Sequence, residues 1–420
     1  MISSDKIINW KKYIVLCSVI LSGITLLAVY TRVWVLTAIP IGFLFGFFLK
    51  KGELCGSSAF SEVIMMKDRS KVFGLWIAIV VSMMGFAVLD ITDLIILNPK
   101  PFLWLNYIVG GLLFGTGIVL AGGCVSGCLY KSASGNINSM AGLLGIPLGI
   151  ALVEHGPFKG FQDYMKGFVL KSETGGPITL SSLTGLPFWA LACIFGLLTL
   201  VFLVFKRKQS KKTHEVTSID EGRFRKFITH PWKPWQAGLA IGILAIFAYM
   251  SSAAVGRNYP LGVTHGVLHL QLLLTDRPLK FIWSKKPAAP SISVEKEQTL
   301  DKVLSDIKPL LPNPAPGKKV NVWLILLVSG LFVGALVSAK LSGKINFLPR
   351  PPGQTVTAFF GGILLGTGAA FATGCVIGNI LSGWALMSVG MFVFGAVTIL
   401  TNWAATYIYL MGGTISDFFE

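Results

Sequence analysis

Apolar residues in this chain come in long runs rather than in alternation. Runs over 13–31, 72–97, 103–123, 136–153, 187–205, 235–253, 320–339, 355–373 and 383–411 each approach or exceed the length needed to cross a bilayer as a helix, about 20 residues. The pattern therefore predicts an all-α polytopic membrane protein with about nine spanning helices, the last being one long tilted helix or two shorter ones. Two further apolar pieces, 35–49 and 261–274, fall short of that length and are expected as re-entrant or half helices. The polar intervals divide the chain into an extra N-terminal helix (1–34), a first half (35–205), a linker (206–233) and a second half (234–420) that holds a long loop (276–319). That loop contains a segment that can form a short amphipathic helix between proline-rich hinges, but a solvated loop is the preferred reading.

The two halves share a pattern. Gly110 to Cys128 reads GGLLFGTGIVLAGGCVSGC and Gly361 to Asn379 reads GGILLGTGAAFATGCVIGN, with 11 of 19 positions identical. Each copy is apolar, rich in glycine, and interrupted at Gly-Cys-Val-x-Gly. Glycine ends helices readily because it adopts the left-handed backbone conformation. Irregular backbone at membrane depth is tolerated only where protein buries it or it lines a cavity. Paired broken helices at matching positions of two halves point to a transporter. The likeness extends upstream, where Gly42-x3-Gly46 leads to Lys-Gly-Glu-Leu-Cys55 and Gly238-x3-Gly242 leads to Gly-Arg257-Asn-Tyr-Pro-Leu-Gly262. Whether the halves are inverted depends on whether an odd number of spans separates them, which the pattern leaves open.

Composition agrees with the pattern. Of 420 residues, 53% are hydrophobic and 13% charged, the latter about half the share of soluble domains; the mean hydropathy is +0.70. The net charge is +17. Its basic residues cluster at the edges of apolar runs, as the positive-inside rule requires. They lack the interleaved aromatics of a nucleic-acid surface, so no nucleic-acid partner is expected. The linker 206–233 holds nine Lys/Arg against three acids and is expected to be cytoplasmic; the charge-balanced, glycine-rich Glu154–Pro187 loop is expected outside. Tyr13 to Tyr30 is long enough to span and no small-residue cleavage site follows it, so it is read as a membrane helix rather than a leader.

Six cysteines are present: Cys17, Cys55, Cys124, Cys128, Cys193 and Cys375. Most sit in apolar runs, which excludes a secreted disulfide framework. Cys124 and Cys375 occupy one repeat position, just before a new helix start, where free backbone N–H groups attract anions; both are candidates for a substrate pathway. Cys55 lies in a basic, glycine-flanked turn that reads as a pore mouth. Cys128 shares a helix face with Cys124 and is a weaker pathway candidate, since Asn379 stands in its place in the second copy. Cys17 and Cys193 read as packing residues. Arg257 reads equally as an anion contact within the membrane or at a mouth and as a membrane-edge arginine. His265 and His269 are spaced as zinc ligands are, but lack a third ligand. No metal or other cofactor is expected.

With these residues in place, the chain resembles the YeeE/YedE family of sulphur-transport membrane proteins. The likeness rests on Glu-Leu-Cys55-Gly-Ser-Ser-Ala-Phe, on the Gly110–Cys124 run, on Ala-Thr-Gly-Cys375-Val-Ile-Gly, and on the Gly-Arg257 and Gly-Val-Thr264 elements. It covers roughly 35–150 and 235–400. The resemblance implies an hourglass of two inverted repeats whose short helices meet at a narrow waist, in the bacterial inner membrane. It implies a thiosulfate permease rather than an enzyme, with Cys55, Cys124 and Cys375 passing the ion along by thiol hydrogen bonds, and a small TusA-like sulphur carrier as a cytoplasmic partner. The chain departs from shorter members by its first helix and the 276–319 loop. A neutral thiol is a weak S–H donor, suited to conduction that must admit the ion and release it. Selenium- or polysulfide-related transport, a membrane sulfurtransferase forming a persulfide on Cys124 or Cys375, and a scaffold for a sulphur carrier remain as alternatives.

Overall fold

A computed structural model describes residues 10–172, 175–209, 230–275, 279–283, 318–345, 347 and 351–412. The first half contributes α1 (Trp10–Thr31), α2 (Ala38–Gly52), α3 (Gly56–Met65), α4 (Ser70–Ile91), α5 (Trp104–Leu120), α6 (Val125–Ala133), α7 (Ile137–Glu154), α8 (Lys159–Lys166), α9 (Leu180–Thr184) and α10 (Phe188–Gln209). The second half contributes α11 (Pro234–Ala254), α12 (Thr264–Thr275), α13 (Val322–Leu341), α14 (Pro352–Phe371), α15 (Ser382–Ala385) and α16 (Val389–Leu410), with one turn of π-helix over Val376–Leu381.

Ten segments among the described residues are long and apolar enough to cross a membrane. The segment beyond the nine read from the pattern is Trp34–Met65. There α2 carries on past the basic pair Lys50–Lys51, pauses at Cys55, and resumes as α3. Polar residues ended the apolar run, but the backbone did not leave the bundle. The fold is otherwise helical, with one addition. Leu279–Ile282 (β1) pairs in parallel with Lys318–Asn321 (β2), so the long excursion returns to the bundle at a two-stranded neck. Most of that loop, and linker residues 210–229, lie outside the described residues. The Glu154–Pro187 interval contains α8 and α9 and is tied to the bundle: Gln162 Nε2 donates to Ala370 O at 2.9 Å, and bridges join Phe102 to Leu170 and Thr179 to Ser388.

Helix starts follow local chemistry. The Asn136 side chain accepts from Ser139 N at the head of α7, and Asn321 does the same for Leu324 N at the head of α13, each satisfying one free donor of a first turn. Pro234 and Pro352 open α11 and α14, where a missing N–H costs nothing.

What holds the bundle is close backbone approach. In lipid the hydrophobic effect does not drive helices together, so contact relies on packing at small residues. Helix α2 lies against α13: a Cβ on Gly42 would fall 2.2 Å from Leu327 O, and one on Gly46 2.0 Å from Leu331 O. Helix α11 lies against α4 in the same manner, Gly238 over Gly74 O at 2.0 Å and Gly242 over Ala78 O at 2.9 Å. Helices α5 and α14 cross antiparallel. Gly110 faces Ala372 while Gly361 faces Ala121, and Gly117 faces Leu365 while Gly368 faces Phe114. Each contact thus has a counterpart in which the two halves exchange roles. The outer pairs repeat it: Gly362 and Gly366 of α14 meet Gly142 O and Ile146 O of α7, and Gly111 and Gly115 of α5 meet Phe394 O and Thr398 O of α16.

These contacts set a prediction. Gly46→Ala and Gly366→Ala, whose new Cβ atoms would lie 2.0 Å from a carbonyl oxygen, should each destabilise the detergent-solubilised protein by about 1–3 kcal/mol, read as a lowered melting temperature. Gly23→Ala, in a part of α1 with nothing within 4 Å of the new methyl, should leave the melting temperature unchanged.

Candidate functional site

Four short helical segments begin inside the bundle, each at a break. Their starting residues are Cys55, Cys124, Val263 and Cys375, whose carbonyls accept from Ala59 N, Cys128 N, Val267 N and Asn379 N at 2.7–3.1 Å. Three of the four carry thiols. All three thiols are about 1% exposed.

The thiols are gathered by contacts between neighbours. Cys55 Sγ lies 3.6 Å from Cys124 Sγ, and Cys124 Sγ lies 3.4 Å from Ser126 Oγ. Gly127 makes room for this: a Cβ there would stand 2.3 Å from Cys55 Sγ. On the far side, Gly56 sits against Val376, its would-be Cβ 2.8 Å from the valine methyls, so the residues that follow Cys55 and Cys375 are in contact. The turn carrying Cys55, which the pattern places at a mouth, is instead buried between the two breaks.

The breaks at Cys124 and Cys375 are built alike from different side chains. Gly122 has φ +66° and its repeat counterpart Thr373 has φ +55°. Glycine takes this left-handed turn freely, whereas a β-branched residue there is strained. Lys131 Nζ donates to Gly122 O at 2.6 Å, and Lys100 Nζ donates to Thr373 O at 2.5 Å. Cys128 Sγ approaches Ala121 O at 3.9 Å and Gly123 O at 3.5 Å. Asn379 Nδ2 donates to the equivalent Ala372 O and Gly374 O at 2.9 and 3.2 Å. So Cys128 and Asn379 do one job, supplying donors to carbonyls that the interrupted helices release. Lys100 and Lys131 do another, and the pattern flagged neither: they read as ordinary basic residues at the edges of apolar runs. The π-helical turn after Cys375 is pinned by Tyr259 Oη donating to Gly378 O at 2.5 Å, and Ser382 Oγ just beyond it donates to Leu261 O at 2.9 Å.

A cavity opens on each side of this waist. One, of ≈ 350 Å³, is lined by Lys50, Glu53, Ser58, Glu62, Lys131 and Lys344 among others. It lies on the linker face, since Trp232 N donates to Lys51 O at 2.8 Å. Its carboxylates are paired, Glu62 with Lys71 and Glu53 with Lys344. The other, of ≈ 250 Å³, is lined by Lys100, Arg257, Tyr259, Thr264, His265 and Gly374 among others. Burial pushes the Lys100 ammonium down to about 7, with Cys375 acting in the opposite sense and Arg257 adding to the drop. Arg257, a candidate from the pattern, is therefore at a cavity on the face opposite the linker. Its Nη1 donates to Tyr259 O and Pro260 O, each at 2.8 Å, and its guanidinium stacks 5.0 Å from the Trp323 ring.

The remaining candidates fall elsewhere. His265 pairs with Glu154 at 3.0 Å, and His269 Nδ1 accepts from Asn321 N at 3.3 Å. Among the described residues no three His, Cys, Asp or Glu side chains gather as a metal site. Cys193 is exposed on the outer surface of α10 rather than packed within the bundle, and Cys17 is half-buried on α1.

The sequence profile of the sulphur-transport family matches residues 51–404, which include both breaks and all three buried thiols at them. The chain belongs to the sulphur-transport family. Similar members include the thiosulfate transporter TsuA of Spirochaeta thermophila, 28% identical over 384 residues that cover 89% of this chain and 98% of the relative. The thiosulfate transporter TsuA of Escherichia coli is 25% identical over 375 residues, covering 89% and 94%. The probable transporter YedE of Escherichia coli is 33% identical over 104 residues, about a quarter of each chain (24% and 25%). Within this sulphur-transport chain, ten apolar segments and family membership together make a multi-pass membrane protein.

The matched breaks predict an exchange. Cys128→Asn, which installs the donor that the second half uses, should keep the wild-type melting temperature. Cys128→Val, of similar size but without a donor, should lower stability by about 1 kcal/mol.

Proposed function

We propose that this protein is a permease that takes thiosulfate into the bacterial cytoplasm, built from two inverted repeats. The observation that carries this reading is the buried Cys55–Cys124 thiol pair, 3.6 Å apart, beside the Cys375 break and between two polar cavities. The reciprocal glycine contacts support the inverted repeat. The names of the relatives support the substrate. A sulphane sulphur reaching the waist meets S–H donors that hold it weakly and release it. The Lys/Arg excess of the linker supports an orientation in the inner membrane with the 350 Å³ cavity toward the cytoplasm, where a TusA-like carrier can receive the ion. Lipid covers the apolar outer surface.

The test is uptake of labelled thiosulfate into liposomes carrying the protein. Cys55→Ala, Cys124→Ala and Cys375→Ala should each cut uptake on the order of tenfold or more with folded protein retained, as expected for losing a hydrogen bond to an ion. Cys17→Ala and Cys193→Ala should be silent. Serine replacements at Cys124 and Cys375 that transport at the wild-type rate would exclude sulphur-to-sulphur hydrogen bonding. Intact-protein mass spectrometry separates the enzymatic alternative: a sulfurtransferase would leave a persulfide on a cysteine, and a permease need not.

Orientation has its own check. A Ser210→Cys variant should react with an impermeant thiol reagent only from the cytoplasmic side; reaction only from outside would reverse the assignment of the two cavities.

A further inference from the structure

Away from both polar cavities, three helices bring their ends together at the linker face. The heads of α4 and α11 lie side by side, where a Cβ on Gly74 would stand 2.6 Å from Pro234 O. Helix α10 runs antiparallel to α4. The Phe202 and Phe73 rings are 6.0 Å apart, Trp76 Nε1 donates to Thr199 Oγ1 at 3.0 Å, and a Cβ on Gly196 would meet Met84 Sδ at 3.2 Å. Between α10 and α11, with α4 as its floor, lies a groove of ≈ 400 Å³.

The groove is apolar, lined by Phe73, Ile77 and Val81 of α4, Leu200 and Leu203 of α10, and Leu239 of α11 among others. Thr199 also lines it, but its hydroxyl is spent within the protein, accepting from Trp76 and donating to Phe195 O at 2.8 Å. From Phe73 to Val81 the groove follows α4 for about 12 Å, close to the hydrocarbon depth of one leaflet, about 15 Å. Trp235 at the head of α11 lines the mouth and is exposed, as aromatic residues at the level of the lipid headgroups are.

Cations ring that mouth. Lys67 and Arg69 precede α4, Lys233 precedes α11, and all three are exposed. Helix α10 continues to Gln209, so Lys206 and Arg207 fall three and four residues past Leu203, on the helix face that borders the groove. Asp68 stands among them, its carboxylate accepting from Ser70 N at 2.8 Å and Ser70 Oγ at 2.6 Å. Positive charge alone is what any membrane edge facing the cytoplasm carries. Here it stands over an apolar groove one leaflet deep, and the two together match an anionic lipid.

We propose that this groove is a site for an anionic phospholipid, with one acyl chain lying between α10 and α11 and the headgroup among the cations at the mouth. Helix α10 gains most from it: 17% of Phe188–Phe205 is buried inside the bundle, and a chain in the groove ties it to α11. Since α10 and α11 flank the linker, that lipid joins the end of the first half to the start of the second. The site needs only the membrane placement, so it stands apart from the permease reading.

The experiment uses the full chain, delipidated in a neutral detergent, with phosphatidylglycerol or phosphatidylcholine of the same acyl chains added back. Native mass spectrometry counts retained lipid, and thermal unfolding reads its effect. Phosphatidylglycerol should be retained and raise the melting temperature; phosphatidylcholine at the same mole ratio should do neither. Leu200→Trp, which fills the groove from an exposed position, should remove the retained phosphatidylglycerol. Leu400→Trp, also exposed but on α16 and outside the groove, should not. Combining Arg69→Gln, Lys206→Gln and Lys233→Gln, one charge from each helix end, should weaken phosphatidylglycerol binding on the order of tenfold or more. Equal effects of the two lipids mark ordinary solvating lipid and overturn the proposal. So does a folded Leu200→Trp, or a folded charge variant, that retains phosphatidylglycerol as the wild type does. A protein of twice the chain mass that Leu200→Trp splits into single copies would also overturn it, since a second copy would then occupy the groove. Should Leu200→Trp not fold, the lipid comparison and the charge variant decide.

Discussion

A helix interrupted at membrane depth releases carbonyl oxygens that no water is at hand to satisfy, and each costs several kcal/mol if left alone. The architecture around the waist answers that cost. At the first break, Lys131 takes Gly122 O and Cys128 takes Gly123 O; at the second, Lys100 takes Thr373 O and Asn379 takes Gly374 O. The donors differ in type and in chain position, yet they reach equivalent atoms. What is preserved between the halves is the set of oxygens that need a partner. This also explains why a lysine stands beside each cavity: it holds the break.

The same constraint governs packing. Breaks can be buried only if the helices beside them come close enough to exclude lipid, and the glycine contacts of α2 with α13, α4 with α11 and α5 with α14 bring backbones together. The halves agree in these contacts and differ in their cavities. One cavity balances its cations with Glu53 and Glu62, while the other brings no carboxylate within ion-pair distance of Lys100 or Arg257 among the described residues. A bundle with matched halves thus presents unmatched faces.

Much of this was legible in the chain. The run from Gly110 to Cys128 and its copy announce themselves because identical glycines are needed at identical contacts, and the long apolar stretches mark the helices by length alone. The Trp34–Met65 crossing was not legible, because Lys50, Lys51 and Glu53 break the apolar run although the helices on either side stay in the bundle. The approach of Cys55 to Cys124 was hidden too: it joins residues 69 apart through a gap at Gly127 that only the tertiary packing of α3 and α6 defines. Lys100 and Lys131 read as ordinary basic residues, since nothing local tells a cap on a distant carbonyl from a membrane-edge charge. Thr264 stood out only within a family-like element; that its hydroxyl has no hydrogen-bond partner among the described residues is a property of the folded cavity.

The two-stranded neck formed by Leu279–Ile282 and Lys318–Asn321 separates the bundle from whatever lies between. Its second strand leads straight into α13 through the Asn321 cap, and the parallel register sets Leu279 beside Lys318 and Ile282 beside Asn321, so the chain leaves at one end of the ribbon and returns at the other. For a loop with tethered ends, the entropy of closure grows only slowly with length. The neck therefore makes 284–317 a modular port: a reporter domain or affinity tag grafted there needs only to span the length of a short parallel ribbon, leaving the helices to find the same partners.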